Sequence, residues 1–358
     1  MPSLPYTTLV EVTRGAVVES VHLGALAVVD AAGRLIASAG DPQLVTYLRS
    51  SSKPLQVLPL LEDGGAERFQ LTDAEIAVMC ASHSGTNEHV ATIAALQARV
   101  GISEEDLLCG VHAPTHAPTA RAMRERGEPF TPNRHNCSGK HTGFLTSAVL
   151  HGEPKADYIN PAHPAQQRVI QTFAEMIQYP REQIVIGIDG CSAPVFAVPL
   201  YNAALGFARL CDPRGLPAAR EAACQMVTRA MTAHPFLVAG PERFDTLAMQ
   251  FGQGRFITKG GAEGYQAIGI LPGSLGEGSP ALGITFKIAD GDPGGRACSV
   301  VAVEILRQLG LLTEAEIAAS MSHLAARPVT NWRGLLVGEI RPAFRLDWSA
   351  LREWLPAA

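Results

Sequence analysis

The sequence is poor in charged residues, in aromatic residues and in basic clusters. Only 18% of its 358 residues are charged and 6% are aromatic, and 29 Lys and Arg against 34 Asp and Glu leave a net charge of −5. A chain with no basic stripe is a poor partner for nucleic acid or for an anionic membrane surface. A hydrophobic content of 47% excludes intrinsic disorder and supplies a large core. Small neutral or zwitterionic molecules remain as substrates.

Long apolar runs are also missing. The first twenty residues contain two early prolines and acidic residues, and they lack the apolar run behind a basic flank that marks a signal peptide. No stretch reaches the roughly 18 uninterrupted apolar residues of a membrane span. We therefore expect a soluble, cytoplasmic globular protein.

The cysteine pattern argues against disulfide bonds. The seven cysteines are odd in number and scattered: Cys80, Cys109, Cys137, Cys191, Cys211, Cys224 and Cys298. Without a secretory signal, such a pattern predicts free thiols or metal ligands. No C-x-x-C or H-E-x-x-H pattern of a conventional zinc site is present.

The pattern of hydrophobic residues places β-strands at both ends of the chain around a helical middle. Residues 8–46 alternate and are rich in β-branched residues, and residues 255–292 form short apolar strands between Gly and Pro turns. In the middle, Thr72 and Glu75 match a helix capping box. Helical periodicity covers residues 54–65, 71–81, 89–101, 161–178, 215–233 and the C-terminal stretch 297–310.

This layout predicts an α/β (α+β) fold in which strands from both termini share one antiparallel sheet that is packed by the C-terminal helix. We expect a single domain over residues 1–358 with two lobes. The β-rich lobe comprises residues 1–48 and about 250–358, and the mainly helical lobe comprises about 49–249.

Five segments carry residue types that perform chemistry. In the first, Ser50 and Lys53 stand three residues apart where a strand region gives way to a helix, so they share one face. A serine becomes nucleophilic when a base such as a partly buried lysine accepts its proton. The alternative is that serine only caps the helix. In the second segment, residues 80–86, the hydroxyls and the imidazole around Ser82 either cap a helix end or line a site.

The third and fourth segments bring together thiols, lysine and imidazoles. The stretch R-H-N-C-S-G-K-H-T-G begins at Arg134 and holds Cys137, Lys140 and His141, and Cys191 follows a strand-like run in G-I-D-G-C-S-A-P. The spacing of a phosphate-binding loop is absent. Cys137 and Cys191 are either joint ligands of a soft or borderline metal or two buried free thiols.

The fifth segment is T-K-G-G-A-E-G, in which Lys259 stands at a strand edge before Gly260. Taken alone, a lysine in a glycine-rich turn is ordinarily a solvated surface residue. In order along the chain, however, S-x-x-K, a Ser/His loop and K-G-G follow the order of penicillin-recognising serine hydrolases. Those enzymes carry Lys-Thr-Gly on the strand, and this chain also lacks a clear S-D-N.

The same stretches resemble the asparaginase II family, the Rhizobium etli-type bacterial L-asparaginases. The resemblance is carried by RSSSKPLQ, ASHSG, HNCSGKHTGFL, GIDGCSAPVFAVPL, RFDT, TKGGAEGYQAIG and NWRGLLVGEIRP, which follow one another from residue 49 to residue 342. It implies hydrolysis of L-asparagine to L-aspartate and ammonia on a fold similar to serine β-lactamases and glutaminases.

The resemblance also implies particular site residues. Two Ser–Lys pairs fall on Ser50 with Lys53 and on Ser82 with Lys259. A zinc ion held by two cysteines and a lysine maps to Cys137, Lys140 and Cys191. The serine run 50–52 leaves the alignment of the first serine ambiguous, and we choose Ser50 because it stands three residues before Lys53.

For the substrate we expect Asp189 to bind the α-ammonium group, with Arg49, His141 and Gly260 completing the binding site. The zinc ion is expected to shape substrate binding and not to activate water. No organic cofactor is indicated, and family analogy favours a homodimer. Two other functions stay open: another serine amidohydrolase on this fold (a glutaminase, or a β-lactamase-like or peptidase-like enzyme), or a non-catalytic module that binds zinc or an amino acid.

Overall fold

Two groups of residues pack separately in the chain. The computed structural model describes residues 5–355. One group, here the sheet unit, contains the residues up to Leu48, Val198–Asp212 and the residues from Phe251 onward. The other, here the helical unit, contains Arg49–Ala197 and Pro213–Gln250. Residues 198–212 were expected in the helical lobe, but they pack with the sheet.

Strands from both ends of the chain build the sheet unit. Along the whole chain the strands are β1 (Thr7–Arg14), β2 (Val17–Asp30), β3 (Leu35–Ala39), β4 (Val45–Tyr47), β5 (Val185–Ile188), β6 (Pro194–Pro199), β7 (Phe256–Gly260), β8 (Tyr265–Ile270), β9 (Leu282–Ile288), β10 (Arg327–Thr330) and β11 (Leu336–Pro342). Of these, β5 and the first four residues of β6 belong to the helical unit. The main sheet has the order β10-β11-β1-β2-β9-β8-β7, with β3 also paired to β2. The pairs β1–β11, β1–β2, β2–β9, β8–β9 and β7–β8 are antiparallel. This arrangement confirms the predicted α/β class with an antiparallel sheet built from both termini.

Helices occupy the middle of the chain and its last third. They are α1 (Lys53–Gln56), α2 (Leu58–Glu62), α3 (Gly65–Arg68), α4 (Asp73–Met79), α5 (Asn87–Val100), α6 (Ala117–Glu125), α7 (Ser138–Leu150), α8 (Pro164–Ile177), α9 (Leu200–Cys211), α10 (Ala218–Ala233), α11 (Pro235–Val238), α12 (Phe244–Gly252), α13 (Cys298–Gln308) and α14 (Glu314–Glu316). Within residues 5–355, none of them has the length and apolar character needed to cross a membrane.

Local sequence signals account for several of these boundaries. The capping box of Thr72 and Glu75 begins α4, as expected, and Gly101 in a left-handed conformation ends α5. The stretch 54–65, expected as one helix, is divided into shorter helices. Pro59 cannot donate a backbone hydrogen bond and its ring crowds the preceding turn, so the helix breaks at Val57.

Glycine allows close packing in both units. In the sheet unit, a Cβ at Gly283 would stand 1.7 Å from the Ala204 carbonyl oxygen, so only glycine lets α9 lie directly on β9. This contact explains why residues 198–212 belong with the sheet. In the helical unit, a Cβ at Gly139 would stand 2.1 Å from the Val78 carbonyl oxygen. The glycine of S-G-K-H-T therefore allows α7 to pack against the end of α4.

Candidate active site

The residues predicted for the site are divided between the two units. The helical unit contains Arg49, Ser50, Lys53, Ser82, Cys137, Lys140, His141, Asp189 and Cys191. Lys259 and Gly260 form the end of β7 in the sheet unit. Lys259 is 1% exposed, and its Nζ donates to the Gly260 carbonyl at 2.7 Å. The pairing of Ser82 with Lys259 stays a prediction.

The serine run forms a 3₁₀ turn that leads into α1. Arg49 begins this turn with a φ of +51°, a left-handed conformation that costs a non-glycine residue about 1–2 kcal/mol. Ser51 and Ser52 are buried, and the Ser52 hydroxyl donates to the Arg49 carbonyl at 2.9 Å. Ser50 is half-buried, and within residues 5–355 its hydroxyl makes no hydrogen bond. Of the three serines, Ser50 is the most accessible to a substrate.

Lys53 is buried at the start of α1. Its Nζ donates to the Ala81 carbonyl at 2.6 Å and lies 3.0 Å from Ser82 Oγ and 3.1 Å from Cys137 Sγ. The sequence pairs Lys53 with Ser50, but the hydrogen bonds go to these three acceptors. The reason is that a buried amine with three N–H donors needs an acceptor for each of them, and a half-exposed serine on its own turn supplies at most one.

The loop after α4 holds Ser82 in place. The Ser82 N–H donates to the Val238 carbonyl at 3.1 Å, and the His83 N–H donates to the Asn136 carbonyl at 3.2 Å. The expected capping function in this segment belongs to Thr86, whose side chain accepts from the N–H of the third residue of α5. The Ser82 hydroxyl is therefore not used as a cap and contacts Lys53 instead.

The buried imidazole of His83 links this loop to the start of α7. The Gly85 N–H donates to His83 Nδ1 at 3.1 Å, so the proton of the neutral ring is assigned to Nε2, which donates to Ser138 Oγ at 2.9 Å. The Ser138 hydroxyl donates onward to the Asn133 carbonyl at 3.0 Å. Burial, with smaller contributions from neighbouring cationic groups, holds the pKa of His83 well below its usual value. The ring is therefore neutral and rigidly oriented.

Cys137, Lys140 and Cys191 come together in the helical unit, where each is at most 4% exposed. Lys140 Nζ lies 3.1 Å from Cys191 Sγ, and Lys53 Nζ lies 3.1 Å from Cys137 Sγ. The neighbouring Cys191 side chain, with the charges of Lys53 and Lys140, holds the pKa of Cys137 well below its usual value despite burial. Burial lowers the pKa of Lys140, but the neighbouring sulfur charges outweigh it and the pKa is raised.

These three side chains suit a metal ion by their chemistry. Two thiolates and a neutral amine are soft or borderline donors of the kind that Zn²⁺ accepts. Within residues 5–355, no group of three or more His, Cys, Asp and Glu side chains is arranged to hold a metal. If Lys140 completes a metal site with the two thiols, its amine has to lose its proton first.

His141 is completely buried beside the thiols. Its Nδ1 lies 2.6 Å from the Tyr158 hydroxyl, which also accepts the Leu108 N–H at 2.9 Å. The Tyr158 hydroxyl therefore donates to Nδ1 and leaves the proton of the ring on Nε2. Burial lowers the pKa of His141 to about 4. Tyr158 was not predicted for the site, because a lone tyrosine in K-A-D-Y-I-N-P belongs to no motif and only the fold brings it to His141.

Asp189 and Arg49 form an ion pair. Arg49 Nε donates to Asp189 Oδ1 at 2.8 Å, and the Gly190 N–H donates to the same oxygen at 2.8 Å. Burial alone would raise the pKa of Asp189, but the charge of Lys140 and these hydrogen bonds lower it below its usual value. A carboxylate and a guanidinium group thus stand side by side, with Arg49 held in its left-handed conformation.

Buried neutral histidines predict that the helical unit loses stability in acid. His89 accepts from the Thr86 N–H through Nδ1 and donates from Nε2 to the Phe236 carbonyl at 3.1 Å. Burial lowers its pKa to about 4, against about 6.5 in an unfolded chain. Between these values the unfolded state binds the extra proton, so the free energy of unfolding falls as pH drops from about 6.5 to 4, by up to about 3 kcal/mol.

Urea unfolding between pH 7.5 and pH 4.5 measures this effect. The His89→Gln variant should reduce the pH dependence of the free energy of unfolding by close to one proton. His323→Gln, which replaces an exposed histidine of the sheet unit, is the control for the substitution itself. Equal pH dependence in the parent protein and in His89→Gln would show that His89 does not cause the loss.

Solved structures similar to this chain are glutaminases of low sequence identity. A probable glutaminase from Bacillus subtilis complexed with 6-diazo-5-oxo-L-norleucine is 12% identical, with a TM-score of 0.40 and coverage of 80% of this chain and 84% of that chain. A covalent complex of a Bacillus subtilis glutaminase with 5-oxo-L-norleucine is 13% identical, with a TM-score of 0.39 and coverage of 80% and 88%.

A family model gives the stronger comparison. Among curated proteins, none matches this chain. The model described as L-asparaginase II, however, matches residues 10–342, which is nearly the whole sequence and includes every residue of the candidate site. The chain therefore belongs to the L-asparaginase II family and is an amidohydrolase.

Proposed function

We propose that this protein hydrolyses L-asparagine to L-aspartate and ammonia with a serine nucleophile and a lysine base. The observation that carries the proposal is the buried Lys53 amine within hydrogen-bond distance of the Ser82 hydroxyl, at the start of the helix that follows Ser50. A nucleophilic serine needs a proton acceptor that water does not solvate, and the 1% exposure of Lys53 meets that requirement.

In the proposed mechanism the Ser50 hydroxyl attacks the side-chain amide carbon of asparagine. Lys53, whose amine has three N–H donors in the resting site, would first release one proton to solvent. It would then accept the proton of Ser50, and its contact with Ser82 would pass a proton through the Ser82 hydroxyl to the leaving nitrogen. Ammonia departs and leaves an aspartyl ester on Ser50, which water then hydrolyses by the same proton path in reverse. Backbone N–H groups at the start of the Ser50 turn would stabilise the oxyanion by a few kcal/mol.

Substrate recognition is assigned to the Arg49–Asp189 pair. An amino acid carries a negative α-carboxylate close to a positive α-ammonium group. The Arg49–Asp189 pair presents the opposite charges, a positive guanidinium beside a negative carboxylate, so each substrate group has a partner of opposite sign. Asp189 would bind the ammonium group and Arg49 the carboxylate. His141, buried against Tyr158, would support this region from behind, and Lys259 and Gly260 keep their predicted functions as electrostatic and backbone partners.

Ammonia release from asparagine tests the activity directly. The parent protein should release ammonia from L-asparagine, and L-glutamine, which is one methylene longer, should react roughly 10–200-fold more slowly in a fitted pocket. Faster reaction with glutamine would make the protein a glutaminase, the main alternative. Cleavage of a chromogenic β-lactam would favour a β-lactamase-like enzyme, and binding of asparagine without ammonia release would favour a non-catalytic module.

We also propose that Cys137, Lys140 and Cys191 hold a zinc ion. The ion would supply a positive charge that neutralises the two thiolates and fixes the loop 189–193, which carries Asp189. In this way it would shape the binding site for the substrate ammonium group. The catalytic proton transfers are assigned to Lys53 and Ser82 alone.

Zinc content per chain measures this proposal without reference to activity. Purified parent protein should contain about one zinc per chain, and Cys137→Ser and Cys191→Ser should lose most of it, because a neutral hydroxyl replaces a thiolate ligand. Cys224→Ser is the matched control, since Cys224 is equally buried but lies in α10. Unchanged zinc in the Cys137 and Cys191 variants, by elemental analysis, would show that the ion binds elsewhere.

A further inference from the structure

His135 is a buried imidazole that takes no part in the proton path from Ser50 to Ser82. It follows the 3₁₀ turn Pro132–Arg134 and is 7% exposed. Its ring packs against the ring of His112, with the two centroids 4.2 Å apart and the planes tilted by 50°. Both histidines belong to the helical unit, so the site they form lies within one unit.

A backbone hydrogen bond fixes where the proton of the His135 ring lies. The Cys137 N–H donates to His135 Nδ1 at 3.0 Å. An amide N–H is only a donor, so Nδ1 accepts and carries no proton, and the single proton of the neutral imidazole is assigned to Nε2. Burial, with a smaller contribution from His112, lowers the pKa of His135 to about 4, in agreement with a neutral ring.

The ring of His112 offers no acceptor to that proton. His112 Nε2 accepts the Asn136 N–H at 3.1 Å, and His112 Nδ1 donates to the Ala113 carbonyl at 2.6 Å. Within residues 5–355, His135 Nε2 makes no hydrogen bond, although the residue is more than nine-tenths buried. Buried N–H groups of folded proteins are hydrogen-bonded, so this donor points to a partner from outside the chain.

The unused donor lies near the proposed base. After burial and His112, the charge of Lys53 also lowers the pKa of His135, which places the Lys53 amine close to the ring. Lys53 Nζ lies 3.0 Å from Ser82 Oγ and 3.1 Å from Cys137 Sγ. Because the N–H of Cys137 also holds the His135 ring, one residue connects the donor to the proposed base.

Asparagine has one acceptor to which the proposed function assigns no side chain. Its α-ammonium group is assigned to Asp189 and its α-carboxylate to Arg49. The remaining oxygen is that of the side-chain amide, which gains negative charge as the serine attacks. A carbonyl oxygen accepts two hydrogen bonds, so an imidazole N–H can act on it together with a backbone N–H of the Ser50 turn.

We propose that His135 Nε2–H donates to the side-chain amide oxygen of the substrate and stabilises the oxyanion that forms there. This inference rests on the proposed function. The ring keeps its proton throughout, and Cys137 holds it in place before the substrate arrives. A fixed neutral donor stabilises the charge of the transition state more than the uncharged amide, so its removal should lower kcat and leave KM nearly unchanged.

Variants of His135 test the proposal by kinetics of ammonia release. His135→Phe keeps a planar ring but removes the donor, and kcat should fall about 10²–10³-fold with KM within about threefold of the parent value. His135→Gln supplies an amide N–H and should recover at least about tenfold of that loss in kcat. His116→Phe is the matched control, because His116 is a half-buried histidine of the same unit that contacts Thr119, and its kcat should stay within about threefold.

Proton NMR of the Ser50→Ala variant gives a readout that does not depend on turnover. This variant should bind L-asparagine without hydrolysing it. The His135 Nε2–H resonance, identified by its absence from the double variant Ser50→Ala/His135→Phe, should move downfield when L-asparagine is added. An unmoved resonance in a variant that binds asparagine would show that solvent is the partner of Nε2, and it would overturn the proposal even if His135→Phe failed to fold.

The other outcomes separate this proposal from the proposed function. A parent protein that releases ammonia from asparagine while His135→Phe keeps its kcat would overturn the assignment of His135 alone. A higher KM with unchanged kcat would place the donor on the α-carboxylate and would also overturn it. Equal losses of kcat, zinc and stability in His135→Phe and His135→Gln would make the residue merely structural. A parent inactive on both asparagine and glutamine would overturn both proposals.

Discussion

Replacing Lys53 with methionine is expected to lower kcat for asparagine hydrolysis by at least about 10³-fold. Methionine keeps the length of the side chain but removes the base, and positioned general bases contribute about 10²–10⁴ in rate. The change also leaves the Cys137 thiol, the Ser82 hydroxyl and the Ala81 carbonyl without their shared donor. Because the lost base acts in the proton-transfer step, the decrease in kcat should exceed the change in KM.

Two further variants separate catalysis from charge and from folding. Lys155→Met is the matched control, because Lys155 is a part-exposed lysine of the same unit paired with Asp106, and its activity should stay within about threefold of the parent value. Lys53→Arg keeps a positive charge that cannot be lost at neutral pH. Recovery of activity in the arginine variant would contradict the assignment of Lys53 as a base. Urea unfolding checks that both Lys53 variants are folded.

Local signals in the sequence predict much of the fold. The capping residues Thr72 and Glu75, the turn glycine Gly101 and the alternating strands at both ends act over a few residues, so they are readable without knowledge of the fold. The antiparallel sheet follows from those strands, because apolar strands at both termini need a common partner to bury their faces.

Contacts between distant segments are not readable in this way. Lys53 stands three residues from Ser50 in the sequence, yet its amine contacts Ser82 and Cys137, which are 29 and 84 residues away. The sequence reveals that lysine, serine and cysteine are present in promising motifs, but the partner of a flexible lysine depends on which buried acceptors the packing offers. Tyr158 was missed for the same reason, since its contact with His141 exists only in the folded unit.

Replacing Ser50 with alanine is expected to abolish turnover, with a loss of at least about 10⁴-fold in kcat and little change in stability. Loss of a nucleophile removes the covalent path entirely, and such losses in serine hydrolases reach about 10⁶. Stability should be preserved because the Ser50 hydroxyl is half-buried and makes no hydrogen bond within residues 5–355. Ammonia release and urea unfolding measure the two quantities separately.

The neighbouring serines decide whether this assignment is right. Ser52→Ala is the matched control in the same turn. In the parent protein the Ser52 hydroxyl donates to the Arg49 carbonyl, away from the proposed proton path, so this variant should keep activity within about threefold of the parent value. Ser82→Ala should lower kcat about 10²–10³-fold because it removes the proton relay, and water can partly replace the hydroxyl beside Lys53.

Covalent labelling identifies the nucleophile independently of the variants. A diazoketone analogue of asparagine should label Ser50, which mass spectrometry of peptides would detect. Full activity in Ser50→Ala, or labelling of Ser82, would make Ser82 the nucleophile, with Lys53 at 3.0 Å as its direct base.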